Sequence, residues 1–259
     1  MSTLFLTGDT LKQNRLNRSI VLGRVLGLPM YDDDNASSIT VAAIPVDGVA
    51  IASSSTTYYT APSTAGSIAE ILTITLCNTD SVARAVDINI VENGGSVGVS
   101  TAIWRDTLQP GEEVIVSGPW FLGPSDTLRA TAAAASVVSL RAEVLEFGAQ
   151  PGGLNFKVIN GASLGTSVST YYTMSGFTQA ILLAASLCNT DTVSRTPELH
   201  VIHNGDTAAV KNRIWSEAIV TKGSAIIQPF AILKTSDFIQ AKASSASVVG
   251  LRLTVLEVT

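Results

Sequence analysis

A chain of 259 residues exceeds one average domain and has room for two full hydrophobic cores. Its formal net charge of −5 leaves no basic stripe to neutralise phosphates, so nucleic acid is not an expected partner. Only 14% of its residues are charged and its apolar content is mostly Ala, Val, Ile and Leu, a balance that disfavours long solvated helices and suits sheets faced with Ser and Thr.

Residues 1-38 read as an extended N-terminal arm with no counterpart later in the chain. The opening MSTLFLTGDTLKQN lacks the basic region and sustained apolar core of a secretory signal. Lys12, Arg15, Arg18 and Arg24 follow, then Asp32-Asp33-Asp34. A mobile tail is one reading. The apolar Leu4, Phe5, Leu6, Ile20, Val21, Leu22, Val25 and Leu26 favour an arm that orders on a neighbouring subunit, because a free tail would leave them in water.

Beyond the arm the chain reads as short strands separated by turn chemistry. Leu72, Ile74 and Leu76 share a face, with Thr73 and Thr75 opposite, and the run ends at the turn Asn78-Thr79-Asp80. Val86, Ile88 and Ile90 alternate with Asp87 and Asn89 before Asn93-Gly94-Gly95. Pro110-Gly111 and Gly123-Pro124-Ser125-Asp126 mark two further turns. Thr131–Ala135 has helix propensity, yet its counterpart Lys242–Ala246 does not, so strand and turn are expected at both. Val138, Leu140, Ala142 and Val144 then alternate with Ser139, Arg141 and Glu143.

The same order returns. LCNTDSVAR is followed by LCNTDTVSR, Asn93-Gly94 by Asn204-Gly205, Ile103-Trp104 by Ile214-Trp215, and Ser125-Asp126 by Ser236-Asp237. ASVVSLR returns as ASVVGLR, and Leu145-Glu146 as Leu256-Glu257. The pairs Cys77/Cys188, Trp104/Trp215 and Glu146/Glu257 share one spacing of 111 residues, and Tyr58-Tyr59 and Tyr171-Tyr172 extend the match with a small offset. Solenoid repeats run at roughly 20–50 residues, so this period predicts a duplicated domain. The expected fold is all-β: two tandem antiparallel β-sandwich domains, Ig-like or jelly-roll, at 39-148 and 149-259, behind the arm.

Several motifs invite chemistry and are better read as structure. Gly161-Ala162-Ser163-Leu164-Gly165 fits the nucleophile elbow, but no amphipathic helix follows and it falls between the two domains, so a small-residue turn is expected. His200 and His203 lie three apart and would face opposite ways on a strand, which excludes joint chelation; sheet-surface or turn roles are expected. Their counterparts are Asn89 and Glu92, so the duplication carries no histidine site. Cys77 and Cys188 read as small buried hydrophobes rather than a bridge, which suits synthesis in a cytoplasm.

Asp32, Asp33 and Asp34 lack EF-hand spacing and read as a solvated linker instead of a calcium site. Asn78-Thr79-Asp80 with Arg84, and Asn189-Thr190-Asp191 with Arg195, fix turns or form a shared sugar loop; the turn reading is preferred. Trp104 and Trp215 could anchor an interface, although core packing is preferred. No P-loop, GxGxxG or zinc spacing occurs, so no catalytic residue, cofactor or metal is expected, and no apolar run of about 18 residues predicts a membrane span.

The order of elements from Ile71 to Glu146 is a strand, a CNTD turn, an alternating strand and an NGG turn, then the Ile103-Trp104 strand, Leu108-Gln109-Pro110-Gly111-Glu112 and Gly123–Leu128. It resembles small all-β virion structural proteins of tailed bacteriophages, of the capsid decoration, neck or tail accessory type. The second copy departs from it, with Thr221-Lys222-Gly223-Ser224 for the Pro-Gly-Glu turn and Lys234-Thr235 for Gly123-Pro124. The resemblance implies a non-enzymatic homo-oligomer in the virion, assembled in the host cytoplasm on capsid, portal, neck or tail subunits, as decoration or cement or as a neck-collar component. The alternative is a tandem carbohydrate-binding module for host recognition, which requires the repeated aromatics to be exposed.

Overall fold

The computed structural model describes residues 41–149 and 154–259, all within one compact unit. The N-terminal arm, with Asp32-Asp33-Asp34, lies outside the described residues. Alternating apolar residues and turn signals produce the expected strands. The first eight are β1 (Val41–Ala50), β2 (Thr56–Thr60), β3 (Ile68–Asn78), β4 (Arg84–Val91), β5 (Ala102–Leu108), β6 (Glu113–Leu122), β7 (Thr127–Ala132) and β8 (Val138–Phe147). A 3-10 turn, Val99–Thr101, precedes β5.

These strands form two antiparallel sheets, β1-β8-β3-β6 and β2-β7-β4-β5. Consecutive strands change sheet at every step except β4 to β5. That is the order of an eight-stranded jelly roll, which decides between the two sandwich types the sequence leaves open. Between the sheets lies one core containing Ile71, Ile74 and Leu76 of β3, Val86, Ile88 and Ile90 of β4, and Leu140 and Ala142 of β8.

The remaining strands are β9 (Leu154–Ser163), β10 (Ser169–Thr173), β11 (Gln179–Asn189), β12 (Pro197–Ile202), β13 (Arg213–Trp215), β14 (Ser224–Ile227), β15 (Ala231–Lys234), β16 (Phe238–Ala243) and β17 (Val249–Val258). A 3-10 turn, Val210–Asn212, precedes β13. Their sheets are β14-β11-β17-β9, with β15 also on β11, and β10-β16-β12-β13. The order matches the first set with β14 and β15 sharing the place of β6. Pro229, which has no amide to donate, and Phe230, at φ 47°, stand in the break between them. A second core, with Leu182, Leu187, Leu199, Ile239 and Leu253, fills this pair of sheets.

The polar side of the alternation is not uniformly wet. Asn89, expected on the outer face of β4, is fully buried and accepts a hydrogen bond from Thr101 Oγ1 at 3.1 Å. On β8 the outward Arg141 and Glu143 are exposed, whereas their counterparts on β17, Arg252 and Thr254, are buried. Periodicity shows which residues share a face. It does not show what covers that face.

Candidate interaction surfaces

The repeated polar residues hold the fold together. Asn78 Nδ2 donates to the carbonyls of Val82, Leu108 and Gln109 at 2.9, 3.1 and 3.1 Å, while its Oδ1 accepts the Asp80 amide at 3.0 Å. Asn189 makes the same four bonds to Val193, Ile219, Val220 and Asp191. Arg84 Nε bonds Asp80 at 2.7 Å and Arg195 Nε bonds Asp191 at 2.7 Å, and each guanidinium holds its carboxyl below the usual carboxylate range. These are turns with their hydrogen-bonding capacity engaged internally.

Two further recurring clamps lie within motifs that sequence repetition marks without pairing. Tyr59 Oη donates to Glu146 at 2.7 Å, and Tyr172 Oη donates to Glu257 at 2.9 Å. Burial first, then the carboxylate, pushes both phenols far above their ordinary 10.0. Asp126 accepts the amides of Asn93 and Gly123, and Asp237 those of Asn204 and Lys234, so each ties two turns together. The simultaneous recurrence of the Tyr-Tyr, Leu-Glu and Ser-Asp pairs was the signal that could have found these clamps.

The remaining candidates separate. Gly161 and Ser163 belong to β9, so the expected turn between domains is a strand, and no helix follows to build an elbow. His200 is buried, with Nε2 at 3.3 Å from Glu198, which corrects the expectation of a surface position on the sheet. His203 stands in the turn after β12, exposed, with Nδ1 at 2.8 Å from Asp237. Both cysteines are free thiols. Cys188 is buried, while Cys77 is only half-buried, against the expectation of burial for both. Burial pushes the Cys188 thiol up to about 12.

Trp104, Tyr59 and Tyr172 are buried, and Trp215, Tyr58 and Tyr171 are half-buried against the two cores. Among the described residues no group of three or more His, Cys, Asp or Glu is placed to hold a metal ion, and no helix is long and apolar enough to cross a membrane. One surface depression, about 250 Å³, is lined by Ser53, Ala85, Asp87, Thr131, Ala132 and Ala133, with Asp87 as its titratable residue.

The most organised surface joins the two strand sets. The outer face of β17 and β11 is covered by the edge of the first set, where β5, β6 and the Val99–Thr101 turn lie. Arg252 crosses this contact, with Nε and Nη2 donating to the Phe121 carbonyl at 3.1 and 2.9 Å and Nη2 meeting Asp126 Oδ2 at 3.2 Å. Burial lowers this guanidinium from 12.5 to about 10, against the pull of Asp126. Close approach requires glycine at two places. A Cβ on Gly250 would meet the Val99 carbonyl oxygen at 2.4 Å, and one on Gly161 would meet that of Ser100 at 1.5 Å. Ile226, on β14, packs against the first core.

No family model matches the chain, and no curated protein does either. Among solved structures it is similar to the STIV MCP at 12% identity and a TM-score of 0.37, over 86% of this chain and 97% of that one. It is also similar to the major capsid protein P2 from bacteriophage PM2, at 9% identity and a TM-score of 0.35, over 85% of this chain and 98% of that one. The PBSX exported protein XepA follows at 9% identity and a TM-score of 0.27, over 84% of this chain and 86% of that one.

Proposed function

We propose that this chain is a structural virion protein of a tailed bacteriophage, without enzymatic activity, that binds other virion subunits as capsid decoration or cement or as a neck-collar component. Its body is two duplicated jelly-roll domains, 39-148 and 149-259, and the arm at 1-38 reaches a neighbouring subunit. One observation carries the reading. The polar residues that recur in both strand sets close turns or clamp strands, so what both sets present outward is sheet face and sheet edge, the material of protein contacts. Jelly rolls also serve as lectins, so fold alone does not choose. A sugar platform needs exposed aromatics, and the repeated Tyr and Trp residues are buried or half-buried.

Quantitative mass spectrometry of purified particles tests the proposal. Hundreds of copies per virion indicate decoration and about a dozen indicate the neck. Absence from the particle, or a glycan-array signal from the purified protein, sinks it.

A further inference from the structure

The contact between the two strand sets has two sides, and each has an uncovered counterpart. One side is the outer face bearing Ile226, Gly250 and Arg252. In the first set the same positions are Ile115, Ser139 and Arg141, where Ile115 is 62% exposed and Arg141, among the described residues, pairs with Glu143 on its own face at 3.1 Å. The other side is the edge bearing Val99, the Phe121 carbonyl and Asp126. In the second set these are Val210, Ile232 and Asp237, with Val210 75% and Ile232 56% exposed. An exposed apolar residue and an arginine paired with Glu143 therefore face outward at one end of the tandem, and two exposed apolar residues at the other, where Asp237 is buried beneath His203.

We propose that a second copy of this chain docks head to tail. The β1-β8-β3-β6 face of one copy lies on the β13–β15 edge of the next, with Ile115 against Val210 and Ile232, and Arg141 reaching the Ile232 carbonyl. The occupant follows from the internal contact, which already brings Gly250 against the Val99 carbonyl and Arg252 onto the Phe121 carbonyl, the counterparts of the positions joined here. Two residues make this contact weaker than the internal one. Ser139 carries a Cβ where Gly250 leaves room for a carbonyl, and His203 already sits on Asp237 at 2.8 Å. Head-to-tail contacts close into rings or run on as filaments, and a weak one forms where copies are crowded. This inference goes beyond the virion reading, since it concerns self-association of the purified chain.

Sedimentation of the full-length protein over a range of concentrations tests it. The wild type should associate as concentration rises, and Ser139→Gly should move the midpoint about tenfold lower. Arg141→Glu and Val210→Asp, both at exposed positions, should each be monomeric alone with unchanged circular dichroism. Mixed, they should form a 1:1 dimer and nothing larger, because each keeps the side the other has lost. A wild type and Ser139→Gly that both stay monomeric would overturn the proposal. So would variants that associate like the wild type, or a mixture that yields no dimer.

Discussion

Asn78 shows how much one buried side chain contributes here. It is completely inaccessible and bonds three carbonyls and one amide, drawing the ends of three segments together. Asn78→Ala should cost about 1–3 kcal/mol in urea unfolding, with Asn189→Ala alike, because each removes four hydrogen bonds from a buried turn, although the Gln109, Ile219 and Val220 carbonyls keep backbone donors. A cost below 1 kcal/mol would mean that water replaces the amide. The tyrosine clamps instead predict a pH dependence. With folded pKa values above the ordinary 10.0, Tyr59 and Tyr172 contribute stability that is complete below pH 10 and lost as pH rises toward the folded values. Cys188, raised from 9.0 to about 12, acts in the same direction from pH 9. Arg252 opposes them: lowered from 12.5 to about 10, it favours the fold as pH rises between those values, but it is one group against four, since burial raises Tyr171 as well. Stability should therefore hold to about pH 9 and decline above it. Tyr172→Phe should cost about 1.5–3 kcal/mol at pH 8, where Glu257 loses a donor, and the gap from wild type should narrow by pH 11. A gap that stays constant would show that the phenol titrates normally.

At the scale of elements, the Val99–Thr101 turn approaches β9 and β17 too closely for added atoms. Gly250→Ala would place a methyl 2.4 Å from a backbone oxygen, which cannot rotate away. The strain should be about 1–3 kcal/mol, read as a lower melting temperature, whereas Gly48→Ala, at the counterpart of Gly161 and with nothing within 4 Å, should change little. Equal effects at both glycines would argue against a tight contact. These elements also mark where the sequence was legible. Alternation in β3, β4 and β8 and the Asn-Gly and Asn-Thr-Asp turns gave the strands and their inner faces, because strand period and turn chemistry are local properties. The strand order, and so the choice of jelly roll, was not legible, since pairing joins residues far apart, such as Tyr59 and Leu128. Burial of Arg252 could not be foreseen for a related reason: Arg141 and Arg252 sit in nearly identical local sequences, and only the neighbouring strand set distinguishes them.

For the whole described body, the question is whether the two cores unfold together. They are separate clusters, joined by a contact in which Arg252 is 6% exposed and holds both a carbonyl and a carboxylate. A buried ion pair adds little net stability compared with an apolar replacement, but removing one partner leaves the other uncompensated. Asp126 is partly protected, since the amides of Asn93 and Gly123 still hold it, so the loss in Arg252→Ala falls mainly on the contact itself. Arg252→Ala should therefore weaken the coupling between the cores more than either core. Calorimetry should show one transition for wild type, with calorimetric and van't Hoff enthalpies equal, and two overlapping transitions with unequal enthalpies for the variant. Arg252→Met, which keeps the stem and its packing, should fall between them. If Arg252→Ala instead melts in a single transition at a lower temperature, the cores are coupled through the apolar packing around Ile226, and the guanidinium serves to orient the contact without holding it.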